Sequence, residues 1–252
     1  MKAALLLALL LILGACAQVE SLPEITTAST TEITTAPTTE ITTTEATTMP
    51  PEETEPINHT ITARIHPDMP EFTFTLEGRY KSGIAIISSI EIREVDGPFH
   101  QRLDDIETFR RDWESDPYGF SLVDFNDDGY LDIQQVIAAH GVGALTEPSY
   151  FWLWDNTQGK FIQNEQLREI SESSNIYSVE NGRVQTHARA GGMGGAHYNW
   201  YEYKNGAFVL VESSSTTFHD EADGIYEHNI HKKLIDGEWQ IISDTREKVE
   251  QH

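Results

Sequence analysis

Four two-residue turn signals divide the C-terminal half of this chain and its approach, and they constrain the fold more than any other feature. Asp96-Gly97, Asn181-Gly182, Asn205-Gly206 and Asp236-Gly237 each stand between runs of alternating or β-branched residues. Such pairs favour the positive backbone angles that close a two-residue hairpin. The runs fall at 59–65, 71–76, 83–95, 130–138, 149–154, 183–188, 197–204, 207–213, 225–235 and 238–243. Helical spacing occurs in two places: 104–114, where Ile106, Phe109 and Trp113 share a face, and a short stretch near 164–170. The expectation is one mainly β domain over residues 58–252, a single antiparallel β-sandwich or strongly twisted sheet with one or two short helices.

The first 57 residues are of another kind. Lys2 opens a short positive region, Ala3 to Leu13 are apolar, and Leu13-Gly14-Ala15-Cys16 is similar to the lipobox of bacterial lipoprotein signal peptides. The apolar run is shorter than the roughly 20 residues that span a bilayer. Residues 1–15 are therefore read as a signal peptide, and Cys16, the one cysteine of the chain, as its lipidated residue. The expected location is extracytoplasmic, lipid-anchored to the outer leaflet of the bacterial cell membrane. Residues 17–57 are rich in threonine, with Glu-Ile-Thr-Thr recurring at 24–27, 32–35 and 40–43 and prolines at 50, 51 and 56. That composition buries no core and reads as a tether, about 35 Å end to end as coil and about 120 Å if drawn out.

Within the folded region, FSLVDFNDDGYLDIQQ at 120–135 places oxygen-bearing side chains on alternate positions, Asp124, Asn126 and Asp128, followed by Gly129 and then Asp132. Oxygens spaced in this way converge on a hard cation when the chain coils around it, and the glycine permits the sharp turn. Tyr130 would add its backbone carbonyl. An EF-hand is excluded: counting from Asp124, the twelfth residue is Gln135 rather than Glu, and the flanks are β-rich rather than helical. The loop is read as a calcium site between two strands, with Asp124, Asn126, Asp128, Tyr130 and Asp132 as ligands. A polar turn using Asn and Asp for its own hydrogen bonds is the other reading, and it leaves Asp132 unexplained.

The block at 122–135, the glycine-containing apolar strand at 136–143, and YFWLWDNTQGKFIQNEQL at 150–167 resemble a family of bacterial exported lipoproteins. That family includes calcium-binding immunity proteins against lysozyme-like effectors of type IV secretion systems, and its fold is similar to that of periplasmic inhibitors of invertebrate-type lysozyme. The resemblance implies the same five calcium ligands, a hairpin Tyr150–Phe161 packed beside them, and a lysozyme-like partner. Trp152, Trp154 and Phe161 are equally read as plain core, and Asp155-Asn156-x-x-Gly159 as a turn. Lysozyme inhibitors plug the sugar cleft with a loop, and the stretch HARAGGMGGAHYNWY at 187–201 offers a candidate built on Gly191, Gly192, Met193, Gly194, Gly195, His197 and Tyr198. It lacks the serine of the Ser-Gly-x-x-Tyr plug of one inhibitor class. The same stretch also reads as a long hairpin loop stiffened by Tyr198 and Trp200.

Charge and motif content limit the alternatives. A net charge of −24, from 17 basic and 41 acidic residues, opposes nucleic acid and suits a basic protein partner. No Gly-x-Ser-x-Gly, Cys-His pair or His-Glu-x-x-His occurs, so a non-catalytic protein is expected. His228 and His231, three apart on a strand, should point to opposite faces, whereas His187, His197 and His219 could meet in space. The expected function is to bind, and by resemblance inhibit, a lysozyme-like cell-wall hydrolase. A carbohydrate or cell-wall glycan binding module with a structural calcium site is the alternative, to be distinguished by an exposed aromatic platform.

Overall fold

The computed structural model describes residues 54–111, 118–138, 146–190 and 194–249. The signal segment, Cys16 and nearly all of the tether lie outside them. The chain from residue 50 onward forms one compact unit. Three antiparallel sheets and one α-helix make up its regular structure among the described residues.

The first sheet holds β1 (Thr54–Arg64), β2 (Glu71–Lys81), β3 (Ile84–Glu94) and β4 (His100–Leu103) in chain order, with β5 (Arg110–Arg111) also on β3. Strand β2 shows the period-2 rule plainly: Phe72, Phe74 and Leu76 are buried while Thr73 and Thr75 are half-exposed. β1 contributes Ile57 to the core, so Thr54–Ile57, read as tether, already belong to the sheet. Pro56 is tolerated there because β1 is an edge strand. Between β2 and β3 the register shifts at Glu77/Gly78, and a Cβ on Gly78 would lie 2.0 Å from the Ile86 carbonyl oxygen. Only glycine permits that approach.

The central sheet is β6 (Phe120–Val123), β7 (Asp132–Val136), β8 (Ser149–Asp155) and β9 (Lys160–Gln163). Its strand β8, SYFWLWD, is buried on both faces. Trp152 and Trp154 join Phe72, Phe74, Ile90, Ile92 and Phe161 in a core against the first sheet. Phe151 and Leu153 join Phe125, Leu167, Ile170, Val184 and Phe208 in a second core against α1 and the third sheet. A strand covered on both sides reads as a continuous apolar run, which is what this one is. The central and first sheets thus pack as a sandwich, and the fold class agrees with the sequence reading.

Helix α1 (Glu165–Ser173) starts where Asn164 Oδ1 accepts the Leu167 amide at 2.9 Å, and it buries Leu167 and Ile170. The third sheet then runs in chain order through β10 (Asn175–Glu180), β11 (Arg183–Ala190), β12 (Gly195–Lys204), β13 (Ala207–Glu221), β14 (Gly224–Ile235) and β15 (Glu238–Lys248). The pairs 181–182, 205–206 and 236–237 all adopt positive φ, as their sequences require. Asp96-Gly97 differs, lying in a longer connection closed by the Glu94 amide on the Phe99 carbonyl at 3.1 Å.

The helix expected at 104–114 is a correction. Asp105 takes a positive φ of 58°, Thr108 Oγ1 accepts the Ile87 amide at 2.8 Å, and Arg110 and Arg111 pair with β3. Completing the open edge of β3 satisfies more backbone groups than a lone helical turn could, and this outweighs the apolar spacing. Trp113 lies outside the described residues.

Candidate metal centre

The acidic loop connects β6 to β7, so its two ends are held side by side, at the roughly 5 Å of a cross-strand pair, by Val123 and Asp132. Between them the chain coils inward. Asp124 accepts the Asp128 amide at 3.3 Å and the Gly129 amide at 2.9 Å. Asn126 donates its side-chain N–H to Asp128 at 2.9 Å, and Asp128 accepts the Tyr130 amide at 2.9 Å. Gly129 takes φ +88°, which an L side chain resists. The structure therefore brings Asp124, Asn126 and Asp128 together on the inside of one turn, with Tyr130 next in line.

Neighbouring elements fix the loop from several sides. Tyr130 stacks on His66 at 4.4 Å, and Leu131 donates its amide to the Ile65 carbonyl at 2.8 Å. Asp127 reaches the Asn181-Gly182 turn of the third sheet so closely that a Cβ on Gly182 would sit 2.6 Å from its carboxylate.

Asp132 lies behind Asp124, Asn126 and Asp128. It is the first residue of β7 and is fully buried, with one oxygen accepting the Phe125 amide at 2.9 Å and the other the Trp154 amide at 2.8 Å. Burial pushes its carboxyl up to about 8, against the pull of those two amides, and the charges of Asp128 and Asp124 add to the rise. Among the described residues no three His, Cys, Asp or Glu side chains cluster closely enough to hold a metal. The arrangement accordingly divides into a front row, Asp124, Asn126 and Asp128 with the Tyr130 carbonyl, and a buried carboxylate behind it. All of these donors are hard oxygens, the kind that calcium and magnesium take, and the excess negative charge suits a divalent cation.

The stretch expected to bind a partner has a shorter connection than its glycines suggest. β11 and β12 pair as far as Ala190–Gly195, which leaves four residues of connection. Gly191, Gly192 and Met193 lie outside the described residues. Gly194 has φ +95°, Gly195 begins β12, and His197 and Tyr198, being adjacent on that strand, face opposite sides of the sheet. Tyr198 meets the His187 ring at a tilt, 4.8 Å between centroids, and packs toward Trp200 at 6.3 Å. Trp152, Trp154 and Phe161 are core residues, and Asp155 caps its own turn by accepting the Thr157 and Gln158 amides at 2.8 and 3.0 Å.

The histidines divide as strand geometry requires. His231 meets Glu212 at 2.6 Å on one face, and His228 meets Asp244 at 2.7 Å on the other. His187 shares the face of His231, while His197 and His219 share that of His228. One cluster escaped the sequence reading. Glu212, nearly buried, accepts Arg183 at 2.7 Å and His231 at 2.6 Å and has Lys233 at 3.4 Å. Burial works to raise its pKa, but the hydrogen bonds from Arg183 and His231 and the charges of Arg183 and Lys233 hold it below the usual carboxylate range. The signal available was Glu212 opposite Lys233 on neighbouring strands, with Arg183 two strands away from Glu212, legible only once the register was known.

Fold and loop together define a mainly β domain with an oxygen-lined loop wedged between its sheets. No family model and no curated protein matches the chain. A solved structure described as a Xanthomonas Type IV Secretion System related protein matches it with a TM-score of 0.55 at 16% identity, over 74% of this chain and 99% of that one. At that identity the likeness establishes a shared fold.

Proposed function

We propose that the protein is a non-catalytic, lipid-anchored extracytoplasmic domain whose acidic loop takes calcium and whose folded part binds and inhibits a lysozyme-like cell-wall hydrolase. The observation that carries this reading is the inward coil of Asp124, Asn126 and Asp128 about Gly129, backed by the buried Asp132. Asp124, Asn126, Asp128 and the Tyr130 carbonyl would hold the ion, and water would complete the six to eight oxygens it prefers. The ion supplies positive charge where Asp124 and Asp128 repel one another in front of the buried Asp132. This chain's residues do the rest: backbone amides of Asp128, Gly129 and Tyr130 orient the carboxylates, and Asp132 ties the loop's Phe125 to Trp154 of β8.

Outside the cell, at about millimolar calcium, a site with a dissociation constant of 10⁻⁴ to 10⁻³ M is substantially filled. Ten times the dissociation constant adds about 1.4 kcal/mol to stability. The shared fold with a protein described as type IV secretion system related supports a secretion-associated role, and the chain's acidity suits a basic enzyme. The test is titration of the protein against a panel of lysozymes in calcium. Saturable, one-to-one loss of lytic activity is expected. Full activity at every ratio, for every enzyme in the panel, contradicts the inhibitor reading.

A further inference from the structure

Beside the acidic loop, sharing Asn126 and Asp128 with the proposed calcium site, lies an open cleft of about 400 Å³. One wall is the loop itself, through Asn126 and Asp128. The opposite wall is the β8–β9 turn with Asn156 and Thr157, and the junction of β9 with α1 adds Gln163 and Asn164. Leu153 and Tyr203 supply the apolar surface. The volume lies in the lower part of the range for ligand sites, about 300–1,000 Å³.

The lining selects its ligand by chemistry. It contains no Lys, Arg or His, and its two carboxylates, Asp128 and Asp155, repel anions. Asp155 is moreover consumed by its own turn, accepting two backbone amides and the Gln158 side chain at 2.7 Å, and those bonds hold its carboxyl below the usual range, fully charged. Phosphates, uronates and acidic peptides are thereby disfavoured. Of the four side-chain amides in the lining, Asn126 donates to Asp128 and Gln163 donates to Glu165 at 2.6 Å, so the oxygen of Gln163 and both groups of Asn156 are left to a ligand. Asn164 spends its oxygen on the helix cap, which leaves its N–H groups without a partner among the described residues, and Asn156 has no side-chain hydrogen bond there.

A ligand that matches must be uncharged, must offer donors and acceptors in pairs, and must carry an apolar face for Tyr203 and Leu153. We infer that this cleft binds a short neutral glycan bearing acetamido groups, whose amides and hydroxyls pair with the cleft amides while the ring hydrogens meet the apolar floor.

The test is an NMR titration of the full chain, in chelator, with di-N-acetylchitobiose, and in parallel with a digalacturonate of the same length. Saturable shifts at the backbone amides of Asn156, Thr157 and Asn164 with the neutral sugar are expected, together with no saturation by the acidic one. Asn156→Ala, on an exposed turn, should weaken binding about tenfold without changing the melting temperature, and Tyr203→Leu should do so while keeping the apolar packing. Absence of saturable shifts, shifts mapping elsewhere, equal binding of the acidic sugar, or full affinity in both variants overturns the inference.

Discussion

Asp128 and Asp132 belong to one loop but answer to different physics, and substitutions separate them. Asp128 is exposed and faces the front of the coil, so Asp128→Ala should lower the melting temperature in calcium and leave it nearly unchanged in chelator. Asp132 is buried and accepts an amide at each oxygen, so Asp132→Asn sets an NH₂ against a backbone N–H. That mismatch costs about 1–3 kcal/mol in calcium and in chelator alike, measured by denaturant unfolding. The pH dependence carries a sign. The folded pKa of Asp132, about 8, lies above its ordinary value of 3.8, so the folded state holds the proton more tightly. Its contribution in the calcium-free protein is therefore greatest below about pH 4 and declines as pH rises toward about 8. Unfolding free energies measured in chelator across that window should fall, and the decline should vanish in Asp132→Asn. Glu212 has the opposite sign: its lowered pKa stabilises above the ordinary value of 4.5 and is lost on further acidification.

Elements show where local signals suffice and where they do not. Asn164 caps α1 through the Leu167 amide, and Asn164→Ala should cost about 1 kcal/mol. Gly78→Ala should cost more, because its Cβ meets the Ile86 backbone rather than a side chain that could swing away. Strands β11 to β15 of the third sheet were legible because Asn-Gly and Asp-Gly turns announce themselves within two residues, and α1 through its helical spacing, whereas β10 has no such run. The short strands β4, β5 and β9 were not, since four residues or fewer carry no period of their own and form because a longer neighbour leaves an open edge. The apparent helix at 104–114 failed for the same reason. In the acidic loop the alternation of Asp124, Asn126 and Asp128 was readable, whereas the inward turn of Asp132 depended on β7 beginning at that residue. The glycines at 191–195 looked like a long loop, but backbone pairing continues to Gly195 and side-chain composition does not disclose it.

At the scale of the whole molecule, the two cores meet at β8. It carries Trp152 and Trp154 to one side and Phe151 and Leu153 to the other, and Asp132 bonds the Trp154 amide in the same strand. The loop is thus coupled to the strand on which all three layers depend. The cleft, the Glu212 cluster and the contact of Asp127 with Gly182 all join segments distant in sequence, which is why sequence spacing alone did not disclose them. The net charge of −24 also acts at this scale. If a basic hydrolase is the partner, its association rate should fall steeply as salt shortens the Debye length from about 10 Å at 0.1 M toward 3 Å at 1 M, while dissociation changes little.

Calcium in the acidic loop is the central claim, and a thermal melt of the wild-type protein and of Asp128→Ala, each in calcium and in chelator, tests it most directly. A higher melting temperature is expected for wild type in calcium than in chelator, with the gap abolished by Asp128→Ala. A wild-type melting temperature indifferent to calcium, or a variant that keeps the full calcium-dependent rise, would contradict it.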